Sequence, residues 1–346
     1  MWSIVLPIKE CQMTQSTSSI SVLKPYRDLV STILSTGTDI YNTRVGMVCK
    51  TVVGAQLEFS LEQGFPCITS RKAPFKSAVG ELLGFFRGYT SAKDFRKLGC
   101  KFWDSNANKT ESWLRNPYRK GVDDCGDIYG KQWTNWKSTR ISTSNEEDTH
   151  LLKSGWTYEG ILKHDKPGIP DSSIFTKSIN QLENVIRTIL TDPSDRRIIV
   201  SGWNVGEMDK MSLPPCHIQY NFVPIEETKH ISVVMSIRSM DVFLGTPSNI
   251  ITTAVFLSIV ARLTGYTADK VIIQGTNAHL YENQFEVAKE LLSREELSPP
   301  TLVLGTNIKQ ITDLHDVAGC FERINPEDIW LEGYESLGVL TVPMIP

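Results

Sequence analysis

Residues 192–217 read DPSDRRIIVSGWNVGEMDKMSLPPCH. DPSD has the chemistry of a turn, and RIIVSGW has the β-branched run of a strand. The stretch ends on Leu213-Pro214-Pro215-Cys216-His217, with two prolines directly before a thiol. Proline fixes its own backbone torsion and donates no amide proton, so this approach to Cys216 is stiff. A lone cysteine is usually an inert buried side chain. A rigid approach is what a sulfur held still for attack on carbon requires, and the attacking species is the thiolate. Arg196 and Arg197 stand about 20 residues upstream, and cations near a thiol favour that anion. On a strand these two adjacent arginines point to opposite faces.

Outward from this stretch, periodicity predicts the following elements. PYRDLVSTILST (25–36) is a helix with Pro25 in its first turn and Gly37 ending it. TVVGAQLEF (51–59) alternates as a strand. KSAVGELLGFFRG (76–88) is a strongly apolar helix with Glu81 embedded in it, and SINQLENVIRTIL (178–190) is an amphipathic one. ISVVMSI (231–237) and KVIIQG (270–275) are strands. NIITTAVFLSIVARLTG (249–265) is a core helix, and NQFEVAKELLSR (283–294) a surface helix. Residues 134–177 are rich in Ser, Thr, Lys, Asp, Gly and Pro without sustained periodicity, and read as an insertion. Residues 1–20 are Ser/Thr/Gln-rich and expected to be poorly ordered. With no repeat and no dividing linker, the expectation is one α+β domain over 21–346 with a mixed or mostly antiparallel sheet.

Composition narrows the class. The 346 residues are 40% hydrophobic and 22% charged, normal for a globular protein with a sizeable core. The net charge of −3 argues against nucleic-acid binding. Seven cysteines without a CxxC pair indicate neither a disulfide framework nor a metal site, and fit a reducing, cytoplasmic setting. No stretch reaches the roughly 18 apolar residues of a membrane span.

Other residues carry possible chemistry. Arg44 lies in a turn-like segment, and Arg238-Ser239 emerge where the strand 231–237 ends. Several arginines with a serine suit a phosphate dianion, although any single arginine is more often a surface ion pair. Glu81 is either a buried carboxylate with a task or the solvated edge of its helix. Asn249 opens the core helix, where it either caps or offers one donor and one acceptor to a base edge. His279 and Tyr281 alternate, so they share one side of a strand.

Taken together, YGKQW (129–133), residues 192–217, RSMDVFLGTPSNI (238–250), HLYEN (279–283) and the tail VPMIP resemble the thymidylate synthase family, in the family's order and from about residue 25 onward. The resemblance implies a large mixed sheet packed against helices and forming the interface of a homodimer. It implies a deoxypyrimidine monophosphate substrate and 5,10-methylenetetrahydrofolate as one-carbon donor, with no metal. Residue by residue, Cys216 resembles the nucleophile that adds to carbon 6 of the pyrimidine. Glu81, Tyr129 and His217 match the proton-handling network. Arg44, Arg238 and Ser239 match phosphate ligands, joined by Arg196 and Arg197 from the partner subunit. His279 and Tyr281 match the pair on the sugar 3′-hydroxyl, Asn249 the base reader, and Trp103, Asp241 and Leu244 the folate side. A neutral amide at 249 suits uracil, whereas relatives acting on cytosine place Asp there.

Departures from the family pattern lead to a specific expectation. Ser248 replaces the Phe of PFN, Asn106 a second Trp, Ile237 a Gln, Gly84 a helix Trp, and Thr276-Asn277-Ala278-His279 stands for GD-x-H. Losing rings at 106 and 248 leaves room for water in the folate pocket. Water rather than hydride would then end the reaction. The sequence thus points to a deoxyuridylate hydroxymethylase of the kind phages use for modified DNA. Reductive methylation to thymidylate is the alternative, and deoxycytidylate or cytidylate hydroxymethylation a more distant one. A nucleotide- or RNA-binding relative without catalysis would have no use for Cys216 and Glu81. A thiol protease lacks an oxyanion-hole signature.

Overall fold

A computed structural model describes residues 21–43, 45–166 and 170–342. Arg44, residues 1–20 and the tail beyond Val342 lie outside the described residues, and with them the expectations placed there.

The sheet is built from β1 (Thr38–Asn42), β2 (Met47–Ser60), β6 (Ile199–Ser201), β7 (His217–Ile225), β8 (His230–Asp241) and β9 (Thr267–Tyr281), in the order β1-β2-β9-β8-β7-β6. All neighbours are antiparallel except β8 and β9, which run parallel. A parallel pair needs a crossover, supplied by the long helix Gly245–Thr264, called αC here. The sheet is therefore mixed. Along β8 the pleat buries Ile231, Val233, Met235 and Ile237 beneath αC, while the residues between them stay half-exposed.

αC is apolar all round, and 89% of its most apolar window is buried, with mean hydropathy 1.3. It is long and apolar enough to cross a membrane, which corrects the reading that no stretch qualifies. Its burial assigns it to the core. It stops at Gly265, whose φ of +76° is the left-handed conformation glycine accepts without strain. It starts four residues before Asn249, which rules out the capping role.

The helix Phe75–Phe86, called αA here, is also buried nearly all round. Its glycines admit neighbours: a Cβ on Gly84 would stand 2.3 Å from the Phe95 ring, and one on Gly80 2.2 Å from the Leu98 carbonyl oxygen. Phe95 thus fills the volume that a larger residue at 84 would take.

Three further expectations change. The strand after DPSD shortens to Ile199–Ser201, leaving Arg196 and Arg197 in the turn. The amphipathic helix runs Gln181–Thr191, because Ser178 and Ile179 end a strand. The described residues between 136 and 179 carry structure: β3 (Trp136–Ser142), β5 (Ser172–Ile179) and β4 (Thr157–Leu162) form a separate antiparallel sheet in that order, with the helix Asn145–Lys153 beside it. Alternation there is weak because most side chains on Trp136–Ser142 and Thr157–Leu162 are exposed on both faces.

Candidate active site

β8 and β9 deliver most of the site. Period-two alternation puts Ile237, Ser239 and Asp241 on one side of β8, and all three line a cavity of about 450 Å³. Cys216, Glu81, Tyr129, His217, Asn249, Trp103 and Leu244 line the same cavity. A second cavity of about 430 Å³ adjoins it at Ser239 and takes Arg238, His279 and Asn277. Thus residues predicted from five separate stretches converge.

Cys216 is half-buried at the mouth of β7. Its amide donates to the Tyr129 hydroxyl at 2.5 Å. Arg238 donates to the carbonyl oxygens of Pro214 and Pro215, each at 2.9 Å, with Nη2 3.9 Å from Cys216 Sγ. The two prolines give up amide donors but keep carbonyls, and the arginine fork clamps both. The helix Tyr129–Thr134 braces the loop a second way. Gln132 donates to the Glu207 carboxylate at 3.1 Å and accepts from Asn204 Nδ2 at 2.9 Å. The YGKQW motif therefore supplies two pins for one loop, Tyr129 and Gln132.

Glu81 accepts from Trp103 Nε1 at 3.0 Å. Burial pushes its carboxyl up to about 7, and the indole hydrogen bond offsets part of that rise. A carboxyl there exchanges a proton near neutral pH. Tyr129 is raised well above its ordinary value, mainly by burial. Burial likewise pushes His217 down to about 4, against a hydrogen bond to Asn249 that raises it, so the ring is neutral at pH 7. His217 Nε2 lies 2.8 Å from Asn249 Oδ1.

Asp241 is held at the turn into αC. One carboxylate oxygen accepts from the amides of Phe243 and Leu244 at 3.1 and 2.9 Å. The other faces Gln284 Nε2 at 3.3 Å and retains acceptor capacity. Burial, set against the nearby His279, raises its pKa. His279 Nδ1 donates to Asn277 Oδ1 at 2.8 Å, so the unusual Asn277 orients this ring. The Tyr281 ring lies 5.1 Å from the His279 ring on the same side of β9.

Three expected contributors line neither cavity: Tyr281, which is buried beside His279, and the pair Arg196 and Arg197. Arg196 and Arg197 are exposed. Arg197 is folded onto Asp195, with its amide, Nε and Nη2 each 2.8 Å from that carboxylate. Within one chain the cation beside the sulfur is Arg238, because β8 and not the DPSD turn passes behind the thiol.

Sequence reasoning missed Arg71, Phe102 and the wall Val339, Leu340 and Val342. Arg71 is buried, donates to the Phe243 carbonyl oxygen and lies 4.4 Å over its ring. Its only signal was a basic pair, Arg71-Lys72, before a buried helix. The apolar wall bears on Ser248 and Asn106. Both do line the cavity, but Phe85, Phe102, Leu213, Leu244 and Leu340 line it too, so the pocket keeps apolar sides. Among the described residues no cluster of His, Cys, Asp and Glu could hold a metal ion.

Comparison with known proteins agrees with this cavity. The family model described as thymidylate synthase matches residues 24–345. The thymidylate synthase of Pseudomonas putida is 42% identical over 324 residues, covering 93% of this chain and 99% of that protein. Those of Pseudomonas syringae pv. tomato and Bordetella parapertussis are each 41% identical, again covering 93% of this chain and 99% of the relative. These relatives carry the name of the reductive enzyme, which overturns the expectation of a hydroxymethylase and of phage DNA modification. The error lay in judging pocket wetness from two positions when the walls are completed by others. A match over nearly the whole chain, with the thiol, carboxylate and amide gathered in one cavity, makes the chain a member of the thymidylate synthase family.

Proposed function

We propose that this one-carbon transferase is a thymidylate synthase, converting deoxyuridylate to thymidylate. The observation that carries the reading is the single cavity shared by Cys216, Glu81, Asn249 and Asp241. Cys216 Sγ, with the Arg238 guanidinium beside it, adds to carbon 6 of the uracil, and the displaced electron pair makes carbon 5 nucleophilic. Asn249 pairs with the base edge. Arg238 and Ser239 take the phosphate together with Arg44, while His279 and Tyr281 hold the sugar 3′-hydroxyl. Glu81, Tyr129 and His217 accept and return protons at the base, for which a carboxyl titrating near 7 is suited. Trp103, Asp241 and Leu244 hold the folate, which supplies the one-carbon unit and then hydride, leaving as dihydrofolate. The exposed Arg196 and Arg197 act on the phosphate in the partner subunit of a homodimer joined through the open face of the large sheet.

Incubation with deoxyuridylate and methylenetetrahydrofolate should give thymidylate and one dihydrofolate per turnover, read by mass spectrometry and absorbance. The variant Cys216→Ser should bind nucleotide without turnover. A 5-hydroxymethyl product, or activity in that variant, would overturn the proposal.

A further inference from the structure

The mechanism above leaves Tyr220 without a task. This residue of β7 is 1% exposed, wedged between Trp133 and Phe256 with ring centroids at 5.5 and 5.4 Å. Its hydroxyl lies 3.0 Å from His217 Nδ1. Thr252 and Thr253, on the facing turn of αC, donate their hydroxyls to the Asn249 carbonyl oxygen at 3.1 and 2.7 Å. A neutral imidazole has one donor and one acceptor nitrogen. If Nδ1 carried the proton instead, the bare Nε2 would face Asn249 Oδ1 at 2.8 Å, acceptor against acceptor, and the Tyr220 proton would have to turn from the ring to the Thr252 and Thr253 hydroxyls. Two buried acceptors facing each other without a proton between them are costly. The consistent chain is Tyr220 O–H to Nδ1, then Nε2–H to Asn249 Oδ1.

The far end of this chain matters. Asn249 Oδ1 is engaged by His217, so the amide –NH2 is left for the cavity. Its Nδ2 stands 3.9 Å from where a Cβ on the cavity-lining Gly245 would be. An –NH2 presented there accepts a partner that is a carbonyl oxygen, as at position 4 of uracil. It opposes donor to donor against the exocyclic amino group of cytosine. The second lone pair of Oδ1 stays available to the ring N–H.

We propose that Tyr220 is a positioning residue that fixes the His217 tautomer and, through it, the orientation of the Asn249 amide that selects uracil over cytosine. This rests on the reading of Asn249 as the base-facing residue. The test is long-range proton–nitrogen NMR of the protein labelled with ¹⁵N-histidine, with His217→Asn used to assign the signal. The wild type should show His217 protonated on Nε2 alone. In Tyr220→Phe, which keeps the packed ring, the signal should move to a mixture of tautomers. The kcat/KM preference for deoxyuridylate over deoxycytidylate should fall roughly ten-fold, the size expected for one buried acceptor, Nδ1, left unmet. Wild-type His217 protonated on Nδ1 overturns the relay whatever the enzyme makes. A tautomer change with unchanged preference overturns the role in base choice. Equal use of both nucleotides by the wild type overturns the reading of Asn249 itself, and the NMR result separates that failure from failure of the relay.

Discussion

Replacing Glu81 by Gln separates the electrostatic cost of this carboxylate from its chemistry. Burial raises its pKa from the ordinary 4.5 to about 7. Between those values the native state keeps a proton that the unfolded chain releases. Stability is therefore intact below about pH 4.5 and declines as pH rises through 7. At ~1.36 kcal/mol per pH unit, the span from 4.5 to about 7 sets a ceiling of ~3 kcal/mol on that loss. Glu81 keeps some exposure to the cavity, so about 2 kcal/mol is the expected value. Gln preserves the shape and offers Trp103 Nε1 an amide oxygen in place of the carboxylate. Urea unfolding of both proteins at pH 5, 7 and 8.5, at one protein concentration, gives the difference between them. That difference should shift in favour of the variant by about 2 kcal/mol from pH 5 to pH 8.5, while turnover is lost. Parallel stability profiles would refute the claim that this carboxyl is held protonated by burial.

Gly84→Ala should destabilise the protein by about 1–3 kcal/mol through overpacking, although alanine is the better helix former. The new methyl meets Phe95, which is itself held by Phe85 and Trp103. A raised melting temperature would show that the ring yields freely. Arg238→Lys keeps the charge and loses the fork on the Pro214 and Pro215 carbonyls. Two charge-assisted hydrogen bonds predict a fall in kcat/KM on the order of a hundred-fold, and a loss within three-fold in steady-state assays would contradict the clamp.

Several parts of the site were legible in order along the chain. Glu81 announced itself as one carboxylate in a helix otherwise made of apolar and small residues, and the helix formed as read. The alternation of β8 and β9 was visible, and with it the side shared by His279 and Tyr281. Asn249 was misplaced as the first residue of αC because Gly-Thr-Pro-Ser reads as a loop. Thr246 instead donates to the Asp241 carbonyl oxygen at 3.1 Å and starts the helix earlier. Arg196 and Arg197 were assigned to the thiol on sequence distance. Arg197 is instead drawn onto the turn carboxylate Asp195, a competition the sequence does not reveal.

The sequence by itself determined the main helices and the central strands of the large sheet, the stiff approach to Cys216 and the family, because periodicity, proline and motif order are local properties that survive without knowing what packs on what. Only the tertiary structure decided which cation stands by the sulfur, how wet the pocket is and how the missing ring at 84 is made good. Those depend on contacts between distant residues, such as Tyr129 with Cys216 and Arg71 with Phe243. Volume or charge lost at one position is returned by a neighbour that lies far away along the chain, so no local reading balances it.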